Sequence, residues 1–475
     1  MPLITSISGI RGTIGGNASD GLTPVAIARF ASAFGTWVLK NSKTKKATVV
    51  IGRDARISGE MVRGIVVSAL NALGIDVIDL GLSTTPTVEM AVPHLKADGG
   101  IIITASHNPK EWNALKLLNR NGEFISEKDG AEVLHIAKNE SFTYAQVTAL
   151  GSYKYDDTYI KKHIKQILAL PLVDVKAIRK RKFKVVIDCV NSTGGIAVPL
   201  LLNALGVKQI TKLYCNPDGN FPHNPEPLPE NLKALSKEVK KRKAAIGISV
   251  DPDVDRLALV CEDGSMFGEE YTLVAVADYV LQKEKGAAVS NLSSTRALRD
   301  VAERRGQKYF ASAVGEVNVV RMMKEKKATI GGEGNGGIIY PKLHYGRDAL
   351  AGIALFLSHL ARSGKKTSEL RKTYPDYFMA KKKLELRAGM NIDAILKKVR
   401  DRYSEFEINE SDGLKIDFSS SNFESRISNL PNSWVHLRKS NTEPIIRVYT
   451  ESTSEKNAHE LAEKVIGEII AMFNI

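Results

Sequence analysis

Two short polar stretches, each directly after an apolar run, carry residue types that can do chemistry. The first is the segment 104–109 (TASHNP), which follows the apolar run 99–103 (GGIII) and contains Ser106. Such runs predict buried parallel strands, and open α/β sheets bind ligands at the carboxyl ends of these strands. Ser106 is therefore a candidate nucleophile, with His107 and Asn108 beside it to hold negative charge. On spacing alone, an N-cap serine before a helix explains the segment equally well.

The second stretch is the segment 251–256 (DPDVDR), which follows the apolar run 244–250 (AAIGISV). It places Asp251, Asp253 and Asp255 at alternate positions, and carboxylates this close repel one another unless a cation lies among them. Ligands that are all oxygen suit Mg²⁺, and the spacing is not that of an EF-hand. A solvated acidic turn is the alternative. The position directly after a buried strand favours a metal site.

Two later polar loops suit a phosphosugar-like ligand. The segment 332–337 (GEGNGG) surrounds Glu333 and Asn335 with glycines, which allow close approach to a polyhydroxy compound. The segment 438–444 (RKSNTEP) lies between two predicted strands, and its side chains and backbone N–H groups can form a phosphate nest. A polar β-turn is the alternative for the second loop. The residues of this second loop that could bind a phosphate are Arg438, Ser440, Asn441, Thr442 and, beyond the loop, Arg447.

Two basic residues, one before and one after the first stretch, are further candidates for binding a phosphate or the serine. Arg11 lies between Gly9 and Gly12, which let backbone approach a ligand, and its guanidinium can bind a phosphate with two hydrogen bonds. The alternative is that the segment around Arg11 is only an irregular N-terminal loop. Lys116, ten residues after Ser106, can return a cation toward the serine. Its alternative is a solvated lysine at the edge of a strand.

The size and charge of the chain limit the number of domains and the kinds of partner that it can have. Its 475 residues exceed one compact core and predict three or four domains of about 100–150 residues. The net charge of +14 invites a nucleic-acid interpretation, but the basic runs fall near predicted helix ends, where such residues are usually solvated. No zinc finger, RNP-like motif or basic-region heptad accompanies them. A small anionic substrate explains a basic cleft, so we expect no nucleic-acid partner.

The same composition predicts the compartment. No segment offers the roughly 20 apolar residues of a membrane helix, and the first residues lack the pattern of a signal peptide. Cys189, Cys215 and Cys261 show no C-x-x-C spacing. We therefore expect a cytoplasmic protein with reduced cysteines and no membrane partner.

Apolar patterns along the chain predict an α/β protein of four units. Three similar mixed α/β domains and a smaller C-terminal α+β domain are expected around a central cleft, at 1–150, 151–255, 256–375 and 376–475. The predicted strands are 48–52, 76–80, 100–104, 183–189, 244–250, 287–292, 328–331, 434–437 and 445–449. The predicted helices are 24–39, 59–73, 392–403 and 455–473. The loop 217–229 (PDGNFPHNPEPLP) is predicted to lack regular structure.

The four polar stretches, in this order, resemble those of the α-D-phosphohexomutase family, which contains phosphoglucomutases, phosphomannomutases and phosphoglucosamine mutases. The resemblance covers essentially the whole chain and rests on TASHNP, DPDVDR, GEGNGG and RKSNTEP. It implies the four-domain phosphohexomutase architecture and an intramolecular phosphotransferase, which is an isomerase.

The resemblance also implies a mechanism. Ser106 would carry a phosphoryl group, with one Mg²⁺ held by this phosphate and by Asp251, Asp253 and Asp255. The group would pass to a hexose monophosphate, giving a bound 1,6-bisphosphate that turns over and returns its other phosphoryl group. A hexose 1,6-bisphosphate would be the activator. The remaining implied roles are catalysis by Arg11, His107 and Lys116 and substrate binding by Arg256, Glu333, Asn335, Arg438, Ser440, Asn441, Thr442 and Arg447.

The sequence departs from the family pattern in the sugar loop. Asn335 and Gly337 stand where Ser and His are usual, so proton transfer would fall to Lys116, His107 or His344. Asn441 replaces a common glycine, and SGIRG replaces the FGTDGIRG of bacterial phosphoglucosamine mutases.

The resemblance implies a hexose phosphate mutase acting between O6 and O1. The R-x-S-x-T-E-P loop favours phosphoglucosamine mutase, which converts glucosamine 6-phosphate to glucosamine 1-phosphate. The alternative is phosphomannomutase/phosphoglucomutase. A remote alternative is a Mg²⁺-dependent phosphatase that uses Ser106 and releases inorganic phosphate. The predicted assembly is a monomer or homodimer whose partners are small hexose phosphates.

Overall fold

Four β-sheets with their helices, in chain order, make up the computed structural model of the protein. The structure describes residues 3–6, 9–17, 20–44, 46–387, 390–418, 432–440 and 445–473. We call each sheet with its helices a unit and number the units along the chain. Besides the elements given below, short 3₁₀ turns occur at Val147–Ala149 and Pro229–Asn231.

The first unit has a seven-stranded mixed sheet in the order β1-β2-β6-β5-β3-β4-β7. Its strands β5, β3, β4 and β7 are parallel, whereas β1, β2 and β6 join by antiparallel pairing. The strands are β1 Ile4–Ser6, β2 Gly9–Thr13, β3 Thr48–Arg53, β4 Asp76–Leu82, β5 Gly99–Ile103, β6 Trp112–Leu118 and β7 Tyr153–Tyr155. The helices are α1 Pro24–Asn41, α2 Gly59–Ala72, α3 Thr85–His94 and α4 Glu127–Asn139.

The second and third units repeat one smaller plan, in which three parallel strands carry one antiparallel edge strand. The second sheet contains β8 Lys184–Asp188, β9 Gln209–Leu213, β10 Ile246–Val250 and β11 Leu257–Cys261, in the order β11-β10-β8-β9. Its helices are α5 Tyr159–Leu168, α6 Val175–Arg181, α7 Gly194–Ala204 and α8 Lys233–Arg242.

The third sheet has the order β13-β12-β14-β15. Its strands are β12 Ala288–Asn291, β13 Tyr309–Ser312, β14 Ile330–Glu333 and β15 Gly337–Ile339. Its helices are α9 Glu269–Leu281, α10 Ala297–Arg304, α11 Glu316–Glu325, α12 Ala349–Ser363 and α13 Thr367–Arg371.

The fourth unit is an antiparallel sheet with two helices, as expected for an α+β domain. The strand order is β16-β20-β19-β18-β17. The strands are β16 Phe378–Glu385, β17 Glu407–Asn409, β18 Leu414–Asp417, β19 Trp434–Lys439 and β20 Ile445–Ser452. The helices are α14 Ile392–Arg402 and α15 Glu455–Phe473.

The apolar core explains which units are joined firmly. One continuous cluster of buried side chains runs from α5 to the residues after α13, so the second and third units share a core. The main clusters of the first and fourth units are separate from it. Since burying apolar area is the main favourable term in folding, this shared core binds the second and third units to each other.

The predicted strands and helices are confirmed, with their ends shifted by a few residues. Residues 99–103 and 246–250 form fully buried strands that end directly before the two polar stretches. The loop 217–228 is irregular, as predicted. The predicted bounds of the four units remain predictions. Strand β7 follows the predicted end of the first unit but joins the first sheet, and β11 follows the predicted end of the second unit but joins the second sheet. Among the described helices, none has the length and apolar character needed to cross a membrane.

The segment around Arg11 is a strand and not the irregular loop that was the alternative prediction. It forms β2, which pairs with β1 and β6 inside the first sheet. The two glycines accommodate protein backbone: a Cβ at Gly9 would lie 2.3 Å from the Leu115 carbonyl oxygen, and one at Gly12 would lie 2.6 Å from the Leu22 nitrogen. The glycines are therefore explained by chain packing and need no ligand.

We expect Gly336→Ala to destabilise the protein more than Gly364→Ala. Both glycines have positive φ, of 82° and 71°, but a Cβ at Gly336 would lie 2.2 Å from the Leu257 carbonyl oxygen, whereas one at Gly364 meets nothing within 4 Å. The control, Gly364→Ala, should lower the free energy of unfolding by about 1 kcal/mol through backbone strain alone. Gly336→Ala should lose roughly 1–3 kcal/mol more through overpacking. Chemical denaturation measures both, and equal losses would contradict the packing argument.

Candidate active site

The serine loop begins directly after β5 and holds Ser106 in a strained backbone conformation. Ser106 has φ of 48°, which non-glycine residues seldom adopt, and is 7% exposed. Its N–H donates to Thr104 Oγ1 at 2.9 Å, and the Thr104 hydroxyl donates to Asp54 Oδ2 at 2.7 Å. These bonds fix the turn that presents the serine side chain.

A buried arginine holds the rest of this loop in place. Arg56 is 1% exposed and pairs with Asp54 at 3.0 Å. Its guanidinium donates to four backbone carbonyls, those of Ser106 at 2.5 Å, Asn108 at 2.7 Å, Pro109 at 2.6 Å and Trp112 at 2.9 Å. The planar fork of arginine suits this arrangement, because five N–H donors in fixed directions can satisfy several acceptors at once.

The acidic loop follows β10 and faces the serine. The Ser106 hydroxyl donates to Asp251 Oδ2 at 2.8 Å. The other oxygen of Asp251 accepts the N–H groups of Asp255 and Arg256, each at 3.1 Å, and so shapes its own loop. Val254 in this loop has φ of 64°. The Asp251 carboxylate therefore joins the two polar stretches predicted from the sequence.

The other two aspartates each engage Oδ2. Asp253 Oδ2 accepts from the Thr85 hydroxyl at 2.6 Å and from Lys116 Nζ at 2.7 Å. Asp255 Oδ2 accepts from Arg347 at 2.7 Å. Within the described part of the chain, Oδ1 of Asp253 and Oδ1 of Asp255 are buried and have no hydrogen-bond partner.

This arrangement fits a divalent cation. Oxygen atoms of the three aspartates lie within 4.8 Å of one another, and two of them are unpartnered. A buried polar atom without a partner costs free energy, so an arrangement that keeps two of them needs a compensating ligand. A donor set of carboxylate oxygens only is the set that Mg²⁺ prefers. The triad can therefore hold such an ion.

Charge within the site shifts several pKa values. Burial and the neighbouring Asp255 and Asp253 raise the pKa of Asp251 well above its usual range. Burial alone would also raise the pKa of Asp253, but the Lys116 ammonium lowers it below its usual range. Burial would lower the pKa of Lys116, yet Asp253 and Asp255 raise it. Lys116 thus stays protonated and compensates the triad.

His107 and the arginines lie on the other side of Ser106. His107 Nδ1 lies 3.4 Å from Ser106 Oγ, and burial with the nearby Arg256 lowers the pKa of His107 to about 2. The imidazole is therefore neutral near pH 7. Arg256 donates to Glu226 at 3.0 Å. Burial and the charge of Arg256 lower the pKa of Arg11, which indicates that both arginines share this region.

The predicted sugar loop is the turn between β14 and β15. Glu333 Oε1 accepts from the Asn291 amide at 2.9 Å and from the Gly315 N–H at 3.1 Å, while Oε2 accepts from Arg347 at 2.8 Å. Asn335 Oδ1 accepts from the Gly337 N–H at 3.2 Å, which shapes the turn. Because Arg347 also contacts Asp255, it links the sugar loop to the acidic triad.

Part of the predicted phosphate loop lies in the described fourth unit. Arg438 on β19 faces Arg447 on β20 across the sheet, and Arg438 pairs with Asp412 at 2.8 Å. Like charges directly opposite repel, so an anion beside them is stabilising. The Ser440 N–H donates to the Ile445 carbonyl at 3.1 Å. Asn441 and Thr442 lie outside the described residues.

A chain of contacts connects this loop to the sugar loop. Asp412, which holds Arg438, also accepts the Val314 N–H at 2.9 Å. The next residue, Gly315, donates to Glu333. The backbone at 314–315 thus lies between the two predicted substrate loops.

Several residues of the site escaped the sequence analysis. Arg347 is one of them; besides Asp255 and Glu333 it pairs with Glu316 at 3.0 Å, and burial raises the pKa of Glu316 to about 7. A polar turn, HYGRD, precedes α12 and was the only signal for Arg347. Asp54 and Arg56 follow β3 at the ligand-facing edge, but no local pattern indicated that they would bind the serine loop. The other residues missed were Thr85, Asn291, Glu226 and Glu316.

Comparison with known proteins identifies the family. Models of the four phosphoglucomutase/phosphomannomutase domains match in order, with α/β/α domain I at residues 3–144, domain II at 158–264, domain III at 268–377 and the C-terminal domain at 383–468. A Thermococcus kodakarensis relative named phosphoglucomutase/phosphomannomutase is 38% identical over 95% of this chain and 96% of its own. The chain belongs to the phosphoglucomutase/phosphomannomutase family, whose members are phosphohexomutases and therefore isomerases.

Other relatives carry a different name. A Methanopyrus kandleri protein named probable phosphoglucosamine mutase is 32% identical over 97% of this chain and 96% of its own. The crystal structure of a family protein from Burkholderia thailandensis matches with a TM-score of 0.81 at 26% identity, covering 98% of each chain.

More distant solved structures share the fold. The N-acetylphosphoglucosamine mutase of Aspergillus fumigatus, with GlcNAc-6P and magnesium, matches with a TM-score of 0.55 at 17% identity over 91% of this chain and 84% of its own. A serine-to-alanine variant of that enzyme was solved with glucose 1,6-bisphosphate.

We expect Arg56→Lys to lower the isomerase turnover number by about 10²-fold, since a displaced reacting group typically costs that much. Lysine keeps the charge beside Asp54 but cannot bind the four carbonyls that Arg56 holds. The matched control is Arg63→Lys, because Arg63 pairs with Glu60 and Asp79 away from the serine loop. Initial rates and melting temperatures measure both variants. Full activity in a folded Arg56→Lys protein would contradict the role of the clamp.

Proposed function

We propose that the protein is a phosphosugar mutase that carries a phosphoryl group on Ser106 and moves it between O6 and O1 of a hexose. The observation that carries the proposal is the contact of Ser106 Oγ with Asp251, beside two aspartates that each keep one buried oxygen unpartnered. A nucleophile alone suits many hydrolases. A nucleophile facing a cation site, with a separate sugar loop and phosphate loop, suits transfer between two positions of one sugar.

One Mg²⁺ per site would be held by Asp251, Asp253, Asp255 and an oxygen of the Ser106 phosphate. When bound, the ion supplies positive charge to the phosphoryl oxygens as charge develops during transfer. The unpartnered oxygens support this assignment, as does the magnesium present with the Aspergillus relative.

The residues of the chain would supply the remaining steps. In the first transfer, the bond between phosphorus and Ser106 Oγ breaks, a bond to the sugar oxygen forms, and the sugar hydroxyl loses its proton. That proton passes to Ser106 Oγ, and neutral His107, whose Nδ1 lies 3.4 Å from Oγ, is placed to relay it. Lys116, held protonated by Asp253 and Asp255, would stabilise the transferring group together with Arg11 and Arg256.

In the second transfer, the other phosphoryl group of the bound 1,6-bisphosphate returns to Ser106. The sugar must be held in both orientations, which we assign to Glu333 and Asn335. The phosphate that does not react would bind Arg438, Ser440, Asn441, Thr442 and Arg447. The opposed pair of arginines on β19 and β20 supports this assignment. A hexose 1,6-bisphosphate would act as the activator that primes Ser106.

Two substrate classes are supported by different relatives. Glucosamine phosphates are favoured by the R-x-S-x-T-E-P loop and by relatives named phosphoglucosamine mutase at 31–33% identity. Glucose and mannose phosphates form the second class, favoured by the 38% identity to the Thermococcus relative. The three unpaired cysteines support a cytoplasmic location, and we retain a monomer or homodimer as the proposed assembly.

Ser106→Ala should lower the phosphosugar isomerisation rate by on the order of 10⁴-fold or more, since removing a catalytic nucleophile typically costs that much. The matched control is Ser83→Ala. Ser83 is also buried, follows a parallel strand of the same sheet, and its hydroxyl has no partner among the described residues. The control should keep near-normal turnover. A Ser106→Ala protein with normal turnover would exclude the phosphoserine mechanism.

Initial rates on glucosamine, mannose and glucose phosphates, with Mg²⁺ and the matching bisphosphate, test the substrate. We expect isomerisation without stoichiometric release of inorganic phosphate, because the phosphoryl group returns to Ser106. A preference for the amino sugar in kcat/KM would assign the first class, and equal or better rates on glucose and mannose phosphates the second. Release of inorganic phosphate in place of isomerisation would instead assign a phosphatase.

A further inference from the structure

A second cluster of titratable side chains lies beside the acidic triad and joins three units. It consists of His163 on α5, His344 and Asp348 before α12, and Glu89 on α3. We call it the histidine cluster. Asp348 Oδ2 lies 2.8 Å from His163 Nε2 and 3.2 Å from His344 Nε2. The two imidazole rings are nearly perpendicular, with centroids 6.2 Å apart.

Both histidines turn the same nitrogen inward and have an oxygen beside the other one. His163 Nδ1 is hydrogen-bonded to Thr87 Oγ1 at 3.0 Å. His344 Nδ1 lies 3.5 Å from Glu89 Oε2. Histidines that bind metal ions in proteins show this pattern, because an acceptor on the second nitrogen fixes the tautomer and leaves the first free to coordinate.

Glu89 is a buried carboxylate beside His344. Its side chain is 1% exposed, and within the described part of the chain neither carboxylate oxygen has a hydrogen-bond partner. Gly346 makes room for it, since a Cβ there would lie 2.0 Å from Glu89 Oε2 and 2.9 Å from His344 Cε1. A buried carboxylate without donors is costly unless positive charge lies nearby.

The charge of the cluster is balanced by one divalent cation. Two neutral imidazoles and two carboxylates carry a net charge of −2, and the N-terminal end of α12 supplies the two N–H groups that Asp348 Oδ1 accepts. The charges of Lys116 and Arg347 also act on Glu89, but both cations pair with the acidic triad. A hydrogen-bonded network without metal would instead need protons on the histidines or on Glu89.

We propose that the histidine cluster is a second metal site that binds a zinc-class transition metal ion through His163 Nε2, His344 Nε2 and Asp348 Oδ2. Glu89 accepts the N–H of His344 Nδ1 and so orients this ligand. Two nitrogens and one carboxylate oxygen form a donor set typical of Zn²⁺, whereas the acidic triad offers oxygen only. The side chain of His344 is 13% exposed, which leaves an entry path and a position for water.

The site lies where it can support the acidic triad. Thr85, one turn before Glu89 on α3, donates to Asp253. Arg347, next to Asp348 in sequence, donates to Asp255. An ion in the histidine cluster therefore fixes two segments that each hold one aspartate of the triad.

The test uses the full-length protein, stripped with a chelator and returned to excess Mg²⁺ so that the triad is saturated. Co²⁺ is then titrated, and visible absorption is recorded before and after Zn²⁺ is added. We expect one Co²⁺ per chain with the absorption of a low-coordinate nitrogen and oxygen site, displaced by an equal amount of Zn²⁺. We also expect elemental analysis to find one tightly bound Zn²⁺ and the melting temperature to rise with it. Co²⁺ uptake without such absorption, or no uptake, overturns the proposal.

Variants separate this site from other binding. His163→Gln should abolish the absorption, and Glu89→Gln should keep it with about 10–100-fold weaker affinity. The matched control is His359→Gln, because His359 is a buried histidine hydrogen-bonded to Tyr374 outside the cluster; it should bind Co²⁺ like the parent. If His163→Gln does not fold, the parent spectrum and the Glu89→Gln titration decide. Unchanged affinity in Glu89→Gln overturns the role given to Glu89, and unchanged absorption in His163→Gln overturns the site.

Discussion

Three carboxylates are buried at one point of the molecule, and the groups around them must compensate their mutual repulsion. Asp251, Asp253 and Asp255 are fully buried, and their oxygens lie within 4.8 Å of one another. At about 4 Å, two like charges repel by on the order of 4 kcal/mol at the effective dielectric of a protein. The chain alone offsets part of this with Lys116 and Arg347. The two oxygens without a partner among the described residues mark where a bound cation would supply the rest.

The compensating groups come from different units, so the site also holds the units together. Lys116 and Thr85 belong to the first unit, the aspartates to the loop after β10, and Arg347 to the third unit. Arg56 keeps the serine loop at the position where Ser106 reaches Asp251. A reacting group must be placed within a fraction of an ångström, and this is achieved here with buried arginines and backbone acceptors.

The sequence predicted the local parts of the site and missed the contacts between distant parts. Ser106 and the aspartates stand directly after apolar runs that form fully buried strands, so periodicity and the ends of parallel strands sufficed to find them. Arg56 and Arg347 act through partners that are about 50 and 92 residues away, and no local pattern encodes such a pairing. The two glycines beside Arg11 accommodate protein backbone, which is that of Leu115 on β6 at Gly9 and that of Leu22 at Gly12, and no pattern around Arg11 indicates the first of these contacts.

The distribution of apolar and polar contacts explains how a rigid site can admit a sugar that must turn over. The second and third units share one apolar core and therefore move as one body. The fourth unit meets them through polar contacts, such as Ser293 with His436 and Arg299 with Asp417. Polar interfaces between domains permit relative motion more readily than apolar ones. The aspartates lie on the second unit, whereas the predicted phosphate loop belongs to the fourth unit, whose polar contacts would permit the motion that the two transfers of the proposed mechanism need.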